Sequence, residues 1–229
     1  MYTGILFDFN GVLLWDGRWV TEGWQRTARM LRGRPLSGDE IVRLVHGRNN
    51  RDTIEYLLGR RISDAEAAEI IAEREAHYRG LCLQQGGEFR LSPGAEQLLD
   101  FLRGRGIPRT IATASKWENV EFFISHLRLE RWFDPAKIIF DDGIRPSKPA
   151  PDYYRDAAAA LSLPPARCVV VEDAPSGMRS ARAAGAGRVV GMRNDANRGI
   201  PREDAPADEW IGNLGQLDRK RLFGRPLLQ

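Results

Sequence analysis

Lysine and cysteine are the two residue types this chain nearly does without. Only four of its 34 basic residues are lysines (Lys116, Lys137, Lys148 and Lys220); the rest are arginines. Where arginine is the default cation, a retained lysine marks a place that needs a compact ammonium rather than a planar guanidinium. Two cysteines in 229 residues, Cys82 and Cys168, are too few and too far apart for a disulfide framework or a zinc site. Cys168, inside the apolar CVVV, reads as a small core residue. No run approaches the ~20 apolar residues of a membrane span. The N-terminus enters a strand at once, without the basic start and apolar stretch of a signal peptide, so a cytoplasmic protein with no membrane partner is expected. Blocks of like charge are missing as well. The net charge of +3 is interspersed, which leaves no footprint for nucleic acid. Internal repeats are absent, and a monomer or weak dimer is expected.

What is present is an alternation. Short apolar segments recur at GILFDF (4–9), RTIAT (109–113), KIIF (137–140), RCVVV (167–171) and RVVGM (188–192), as strands buried on both faces should. Helical stripes lie between them: Ala95, Leu98, Leu99 and Leu102 on one, Val120, Phe123, Ile124 and Leu127 on another. Pro93, Gly94 and Pro149 mark helix starts; Gly104, Gly106 and Gly185 mark stops. The pattern predicts an α/β fold, a Rossmann-like parallel sheet covered by helices. Residues 15–88 break the rhythm, with no convincing strand but three capping signals, SGDE (37–40), NNRD (49–52) and SDAE (63–66). They read as a helical cap domain inserted into a core made of 1–14 and 89–229. The insert is either a lid over the site or a helical extension packed permanently on one face.

Polar groups of one chemical kind gather at the strand ends. Asp8 ends the first strand, Thr113 the second, and Glu172 and Asp173 the fourth, while Lys148 follows the third and opens a helix through KPAPDYY. Ligands of open parallel sheets bind outside the carboxyl ends of the strands. A carboxylate can attack phosphorus only if something neutralises the phosphoryl dianion, and Mg²⁺ does so while preferring carboxylate, carbonyl and water oxygens. Asp8 and Asp173 are the natural direct ligands, with Glu172 direct or through water. Lys148 would screen Asp8 and hold phosphoryl oxygens, and Thr113 and the backbone N–H of Ala114 would donate to them. The plainer account of Glu172 and Asp173 is a helix N-cap before APSG.

FDFNGVL (7–13), TIATASK (110–116), KPAPDYY (148–154) and VVVEDAPSGMRSARAAG (169–185), in this order and spacing, resemble the haloacid dehalogenase superfamily, in its β-phosphoglucomutase-like phosphatase and mutase branch. The resemblance covers almost the whole chain. It implies a Mg²⁺-dependent enzyme acting on small phosphorylated metabolites, with an aspartyl-phosphate on Asp8 and Thr113, Lys148, Glu172 and Asp173 in the roles above. It adds the backbone carbonyl of Asn10 as a metal ligand, and Ser115 and Lys116 as residues facing the substrate's other phosphate. HGRNNRD (46–52) resembles the family's substrate-reading cap loop, making Gly47, Arg48, Asn49 and Asn50 specificity candidates. Trp24 and Arg74 either line the cleft or are, respectively, cap core and a solvated helix face. Mutases of this branch carry a histidine where this chain has Val20.

Asn10 departs from the family pattern. Most members have an aspartate there, which protonates the leaving group and then deprotonates the attacking water; an amide does neither, and losing a positioned acid–base costs about 10²–10⁴ in rate. Three accounts fit the sequence: a native subgroup that acts slowly or takes its proton elsewhere, with Asp16 and His46 nearest; an engineered trap; or a protein that binds phosphate esters without turning them over. Rival reactions fare worse. A phosphonate hydrolase needs a cap lysine, and residues 15–88 hold none. A dehalogenase has no use for the Glu172–Asp173 pair, and a receiver-type domain needs no cap.

Overall fold

The computed structural model describes residues 1–45, 48–194, 197 and 205–224. Six parallel strands form one sheet: β1 (Gly4–Phe7), β2 (Arg109–Lys116), β3 (Ile139–Asp141), β4 (Cys168–Glu172), β5 (Arg188–Met192) and β6 (Glu209–Ile211). Their order is β3-β2-β1-β4-β5-β6. The chain runs outward from β1 on one side, then returns to start again at β4, so the switch in direction falls beside β1. That crevice is where an open α/β sheet receives its ligand.

Alternate residues of each strand face opposite layers, because side chains in a strand point to the two faces in turn. Ile5, Phe7, Val169, Val171, Val190 and Met192 pack with Leu98, Leu99 and Leu102 of α5 (Ala95–Gly104) and Phe123 of α6 (Trp117–Leu127). Leu6, Val170 and Val189 face Tyr153, Tyr154 and Ala157 of α7 (Asp152–Ala160) and Met178 of α8 (Pro175–Ala183). The chain ends, within the described residues, in α9 (Arg219–Phe223). β2 runs three residues past the expected RTIAT, with a register shift against β3 between Ala112 and Lys116. β3 starts two residues later than KIIF, since Lys137 closes a 3₁₀ turn capped by Asp134. β6 was not foreseen; its three residues carry too little pattern to read.

Between β1 and α5 the described residues form four α-helices: α1 (Gly17–Arg32), α2 (Gly38–Leu44), α3 (Asn50–Leu58) and α4 (Asp64–Gln84). The three capping signals all act as caps. Ser37 and Glu40 form a reciprocal capping box, Asn49 accepts from the Asp52 N–H, and Ser63 accepts from the Glu66 N–H. The helices bury a core of their own around Trp24, Ala28, Leu36, Ile54, Leu57 and Ile62. Trp19 of α1 and Tyr78, Leu81 and Cys82 of α4 instead belong to the core beneath the sheet. Both cysteines are buried and unbridged. Among the described residues no helix is long and apolar enough to cross a membrane.

Candidate active site

Asp8 directly follows β1 and Thr113 lies on β2, while Glu172 and Asp173 close β4, the two neighbours of β1. Lys148 reaches into this crevice from the loop before α7 and is fully buried. Its Nζ donates to Asp8 Oδ1 at 2.9 Å, Glu172 Oε1 at 2.7 Å, the Ala112 carbonyl at 3.3 Å and the Tyr154 hydroxyl at 3.2 Å. Tyr154 also donates to Glu172 Oε1 at 2.9 Å, and Glu172 Oε2 accepts the Ala174 N–H at 2.8 Å. Glu172 thus holds the turn ahead of α8 and anchors Lys148 at the same time, but the N-cap of α8 is Ala174, without a side-chain cap bond, so neither acid is the helix cap of the plainer reading. Asp173 is held differently. Asn194 Nδ2 donates to its Oδ2 at 2.9 Å and to the Gly11 carbonyl at 3.0 Å, and Asn197 Nδ2 donates to its backbone carbonyl at 2.8 Å.

Two glycines make the approach possible. Gly11 has φ +80°, and a Cβ there would sit 2.0 Å from Asp173 Oδ2; a Cβ on Gly177 would sit 1.6 Å from Glu172 Oε1. No side chain larger than hydrogen fits at either position.

Oxygens of Asp8, Glu172 and Asp173 lie within 4.8 Å of one another, all buried. Among the described residues three carboxylates face the one ammonium of Lys148. Burial pushes the Asp8 carboxyl up to about 7, Lys148 pulling it down and Glu172 adding to the rise. Burial also raises Asp173 far above the usual carboxylate range, reinforced by Glu172 and Asp8. Burial would depress Lys148, but the charges of Asp8 and Glu172 outweigh it and hold the ammonium above its ordinary value. Among the described residues the site thus has more negative than positive charge and offers hard oxygen donors, which is the deficit a Mg²⁺ ion fills.

Position 10 is tightly engaged. Asn10 Nδ2 donates to Asp16 Oδ2 at 2.5 Å and to the Tyr78 hydroxyl at 3.2 Å, while its Oδ1 accepts from Ser115 Oγ at 2.9 Å. Tyr78 also donates to Asp16 Oδ2, and the Gly11 N–H donates to Asp16 Oδ1 at 3.2 Å. Burial raises the Asp16 carboxyl above its ordinary range, although Tyr78 and Asn10 donate to it. The suspected neighbour Asp16 is thus in contact with Asn10. His46, the other suspect, and Gly47 lie outside the described residues.

A cavity of about 80 Å³ opens above Asp8, walled on the sheet side by Asn10, Thr113, Ala114, Ser115 and Asp173. Thr113 Oγ1 accepts the Ser115 N–H at 3.1 Å, which leaves its proton free to point into that space. The helical side brings Val20, Trp24, Arg48, Asn50 and Arg74. Trp24 is both cap core and cleft wall, only 3% exposed. Arg74 is no solvated helix face: it is buried, its guanidinium lies 4.6 Å above the Trp24 ring, and its Nε has no partner. Arg48 pairs with Asp52 at 3.5 Å and likewise leaves its buried Nε unpartnered. Asn50 reaches the cavity but spends its amide on Glu75.

Two candidates turn elsewhere. Asn49 is occupied as the cap of α3, its N–H donating to Ser147 Oγ at 3.0 Å. Lys116 Nζ lies 3.3 Å from Asp141 Oδ2 and lines a second cleft, not the cavity above Asp8, because the register shift in β2 turns it toward β3. Sequence reasoning missed Tyr78, Tyr154, Asn194 and Asn197. Tyr154 stands inside KPAPDYY and could have been found there; the two asparagines, beyond β5, carry no local signal.

A parallel α/β core with a helical insertion over an aspartate, a lysine and an acidic pair at its strand ends defines an aspartate-based phosphohydrolase. The haloacid dehalogenase-like hydrolase family model matches residues 2–185, and the chain belongs to that family. Among curated relatives, it is 37% identical over 188 residues to the fructose-1-phosphate phosphatase YqaB of Escherichia coli K12, covering 80% of this chain and 93% of that one. It is 33% identical over 175 residues to the protein CbbY of Rhodobacter capsulatus, covering 74% and 73%. Among solved structures, a family IA, variant 3 hydrolase from Entamoeba histolytica superposes with a TM-score of 0.81 at 36% identity, over 96% of both chains. CbbY of Rhodobacter sphaeroides, an aspartate-to-asparagine variant bound to xylulose-1,5-bisphosphate, superposes with a TM-score of 0.79 at 26% identity, covering 95% and 97%.

Proposed function

We propose that the protein is a Mg²⁺-dependent phosphatase of small phosphorylated metabolites, sugar phosphates above all, working through Asp8. The observation that carries this reading is the buried Lys148, shared between Asp8 at 2.9 Å and Glu172 at 2.7 Å beneath the cavity. An ammonium so placed keeps a nucleophilic carboxylate aimed and screened from its acidic neighbours. Asp8, the Asn10 carbonyl and Asp173 would hold Mg²⁺, which when bound supplies the positive charge that the phosphoryl group and the three acids require. Asp8 attacks phosphorus as the bond to the ester oxygen breaks, that oxygen taking its proton from water; a second water then breaks the aspartyl-phosphate, releasing phosphate and restoring Asp8. Thr113, Ser115 and the Ala114 N–H line the space for the phosphoryl oxygens. Residues 15–88 act as the cap domain on the core of 1–14 and 89–229. Relatives named for fructose 1-phosphate, hexitol phosphates and phosphorylated carbohydrates support the substrate class.

Val20 gives the cavity an apolar wall where a mutase would present a histidine, which favours a phosphatase over a phosphosugar mutase. One observation favours a second reading, a phosphometabolite-binding protein of low turnover. The Asn10 amide has both ends engaged and no ionisable proton. Phosphate release measured over a panel of phosphorylated metabolites, with and without Mg²⁺, decides. Magnesium-dependent turnover of hexose or pentose phosphates supports the phosphatase; tight binding without release supports the second reading; neither would refute both.

A further inference from the structure

Glu75 of α4 is a buried acid that the phosphoryl chemistry does not use, 4% exposed. Its Oε1 accepts from Asn50 Nδ2 at 2.5 Å and from Arg74 Nη1, both on the helical side. Its Oε2 accepts from Asn119 Nδ2, in the first turn of α6 on the sheet side. Asn119 is itself 2% exposed, and its Oδ1 accepts from Arg79 Nη1 at 2.8 Å. Positions 75 and 79 stand one turn apart on the same face of α4. A single amide therefore meets an acid with its donor end and a guanidinium with its acceptor end. An amide offers the donor and the acceptor on separate atoms, one for each partner.

The placement of this bridge gives it a task. Glu75 lines the 80 Å³ cavity above Asp8 on one side and a cleft of about 540 Å³ on the other, so the bridge is a thin partition between two voids. At about 80 Å³ the cavity is below the ~300–1,000 Å³ usual for a metabolite-sized ligand. A sugar phosphate would gain room if the helices drew back to admit it and settled again around it. When they draw back, Glu75 gains water; when they settle, it is stripped of water, and only the Asn119 amide replaces what Oε2 has lost. The same carboxylate, through Oε1, fixes Arg74 and Asn50 where the leaving group would lie.

We propose that Asn119 is a positioning residue: by clasping Glu75 and Arg79 it holds the cap shut and sets Arg74 and Asn50 against the leaving group. The clasp makes the enzyme selective for esters whose alcohol fills the cap side over small phosphoryl donors that react without it. This rests on the phosphatase reading for its reaction, though not for its geometry.

The test reverses the polarity of the clasp. Asn119→Asp is isosteric but sets two carboxylates face to face. In the double variant Glu75→Gln/Asn119→Asp, the new amide keeps an oxygen for Asn50 and Arg74 and turns its NH₂ to the new carboxylate, which also receives Arg79. For the hexose phosphate that wild type turns over best, kcat/KM should fall on the order of 10- to 100-fold in Asn119→Asp, the value of a hydrogen bond to a charged group. The double variant should recover most of that loss. Acetyl phosphate, whose leaving acetate needs neither cap nor proton, should change by less than about threefold in both, since it draws on no clasp-dependent contact. Arg79→Gln, at a half-buried position, removes one arm only and should show the same selectivity to a smaller degree.

Amide hydrogen exchange over residues 48–75 reads the clasp without substrate. Exchange should quicken in Asn119→Asp and return toward wild type in the double variant. Equal losses on both substrates, a double variant worse than either single one, or unchanged exchange would overturn the clasp. A wild type that releases phosphate from nothing would sink the phosphatase reading instead, leaving the exchange experiment to judge the clasp alone.

Discussion

Asn10→Asp is expected to change the rate-limiting step, and the structure says by how much and why. Asn10 Nδ2 lies 2.5 Å from Asp16 Oδ2. Replacing that NH₂ by oxygen brings two carboxyl groups into contact, which cannot both be ionised. Two like charges ~4 Å apart in partly screened protein repel by about 4 kcal/mol, or about three pKa units. One proton is therefore retained between the new carboxyl and Asp16 at neutral pH, as in carboxylate pairs that share a proton. The Ser115 hydroxyl still finds an oxygen to donate to, so the side chain keeps its orientation. The variant gains an ionisable proton donor and acceptor at position 10, where the wild type has an amide, a change worth about 10²–10⁴ in rate.

An aryl phosphate separates the steps, because its leaving group departs without protonation. In rapid-quench experiments the wild type should give a burst of aryl alcohol equal to the enzyme, then slow turnover with phosphate retained on Asp8. Asn10→Asp should speed the slow phase by about 10² or more. Asp8→Asn should abolish both phases. Adding Asp16→Asn to Asn10→Asp should move the pH–rate profile down by about three units, because the repulsion is gone. A wild type with no burst and full-speed turnover, unchanged by Asn10→Asp, would refute this reasoning.

Three further outcomes are expected. Lys148→Arg should be nearly as damaging as Lys148→Ala, since a forked guanidinium cannot take the single point between Asp8, Glu172 and Tyr154; Lys137→Arg and Lys220→Arg, on exposed residues, should leave phosphate release unchanged. Gly11→Ala should weaken Mg²⁺ binding measured by calorimetry by at least about tenfold, because the methyl group would lie 2.0 Å from Asp173 Oδ2. The metal-free protein should lose stability as pH rises. Asp8 titrates near 7 when folded against 3.8 ordinarily, so the folded state binds more protons between those values. Its contribution is complete below the lower value and lost through the upper one. Mg²⁺ favours the ionised carboxylates, so it should raise the melting temperature more at pH ~8 than at pH ~5.5; an equal shift at both would contradict the charge deficit described for the site.

The first five strands, the helix caps and the four motif groups were legible because each is written in neighbouring residues. Ser37 and Glu40, or the run CVVV, need no distant partner to declare themselves. The same holds for Asp8, Glu172 and Asp173, each tied to a strand end; Thr113, inside β2 rather than at its end, and Lys148, in the loop before α7, were carried by their motifs. What stayed hidden depends on meetings across the fold. Glu75 sits in EREAHYRG, which reads as a solvated face, and only its contact with Asn119, 44 positions on, makes it a buried acid. Lys116 looked phosphate-facing by its motif, but a register shift in β2 sends it to Asp141. Asn194 and Asn197 hold Asp173 from beyond β5 with nothing local to mark them.

Helix α4 contributes Ala67 to one hydrophobic cluster and Tyr78, Leu81 and Cys82 to another. A single rigid rod is thus embedded at both ends, and the two clusters share its hydrogen-bonded backbone. Heat should melt them together, with one calorimetric transition rather than two. Excising residues 15–88 would strip Tyr78 from the edge of the Phe123 ring, 6.3 Å between centroids, and leave a void under the sheet. A chimaera that borrows a relative's helices would therefore need to bring the last two turns of α4 with them, or repack Phe123 to suit.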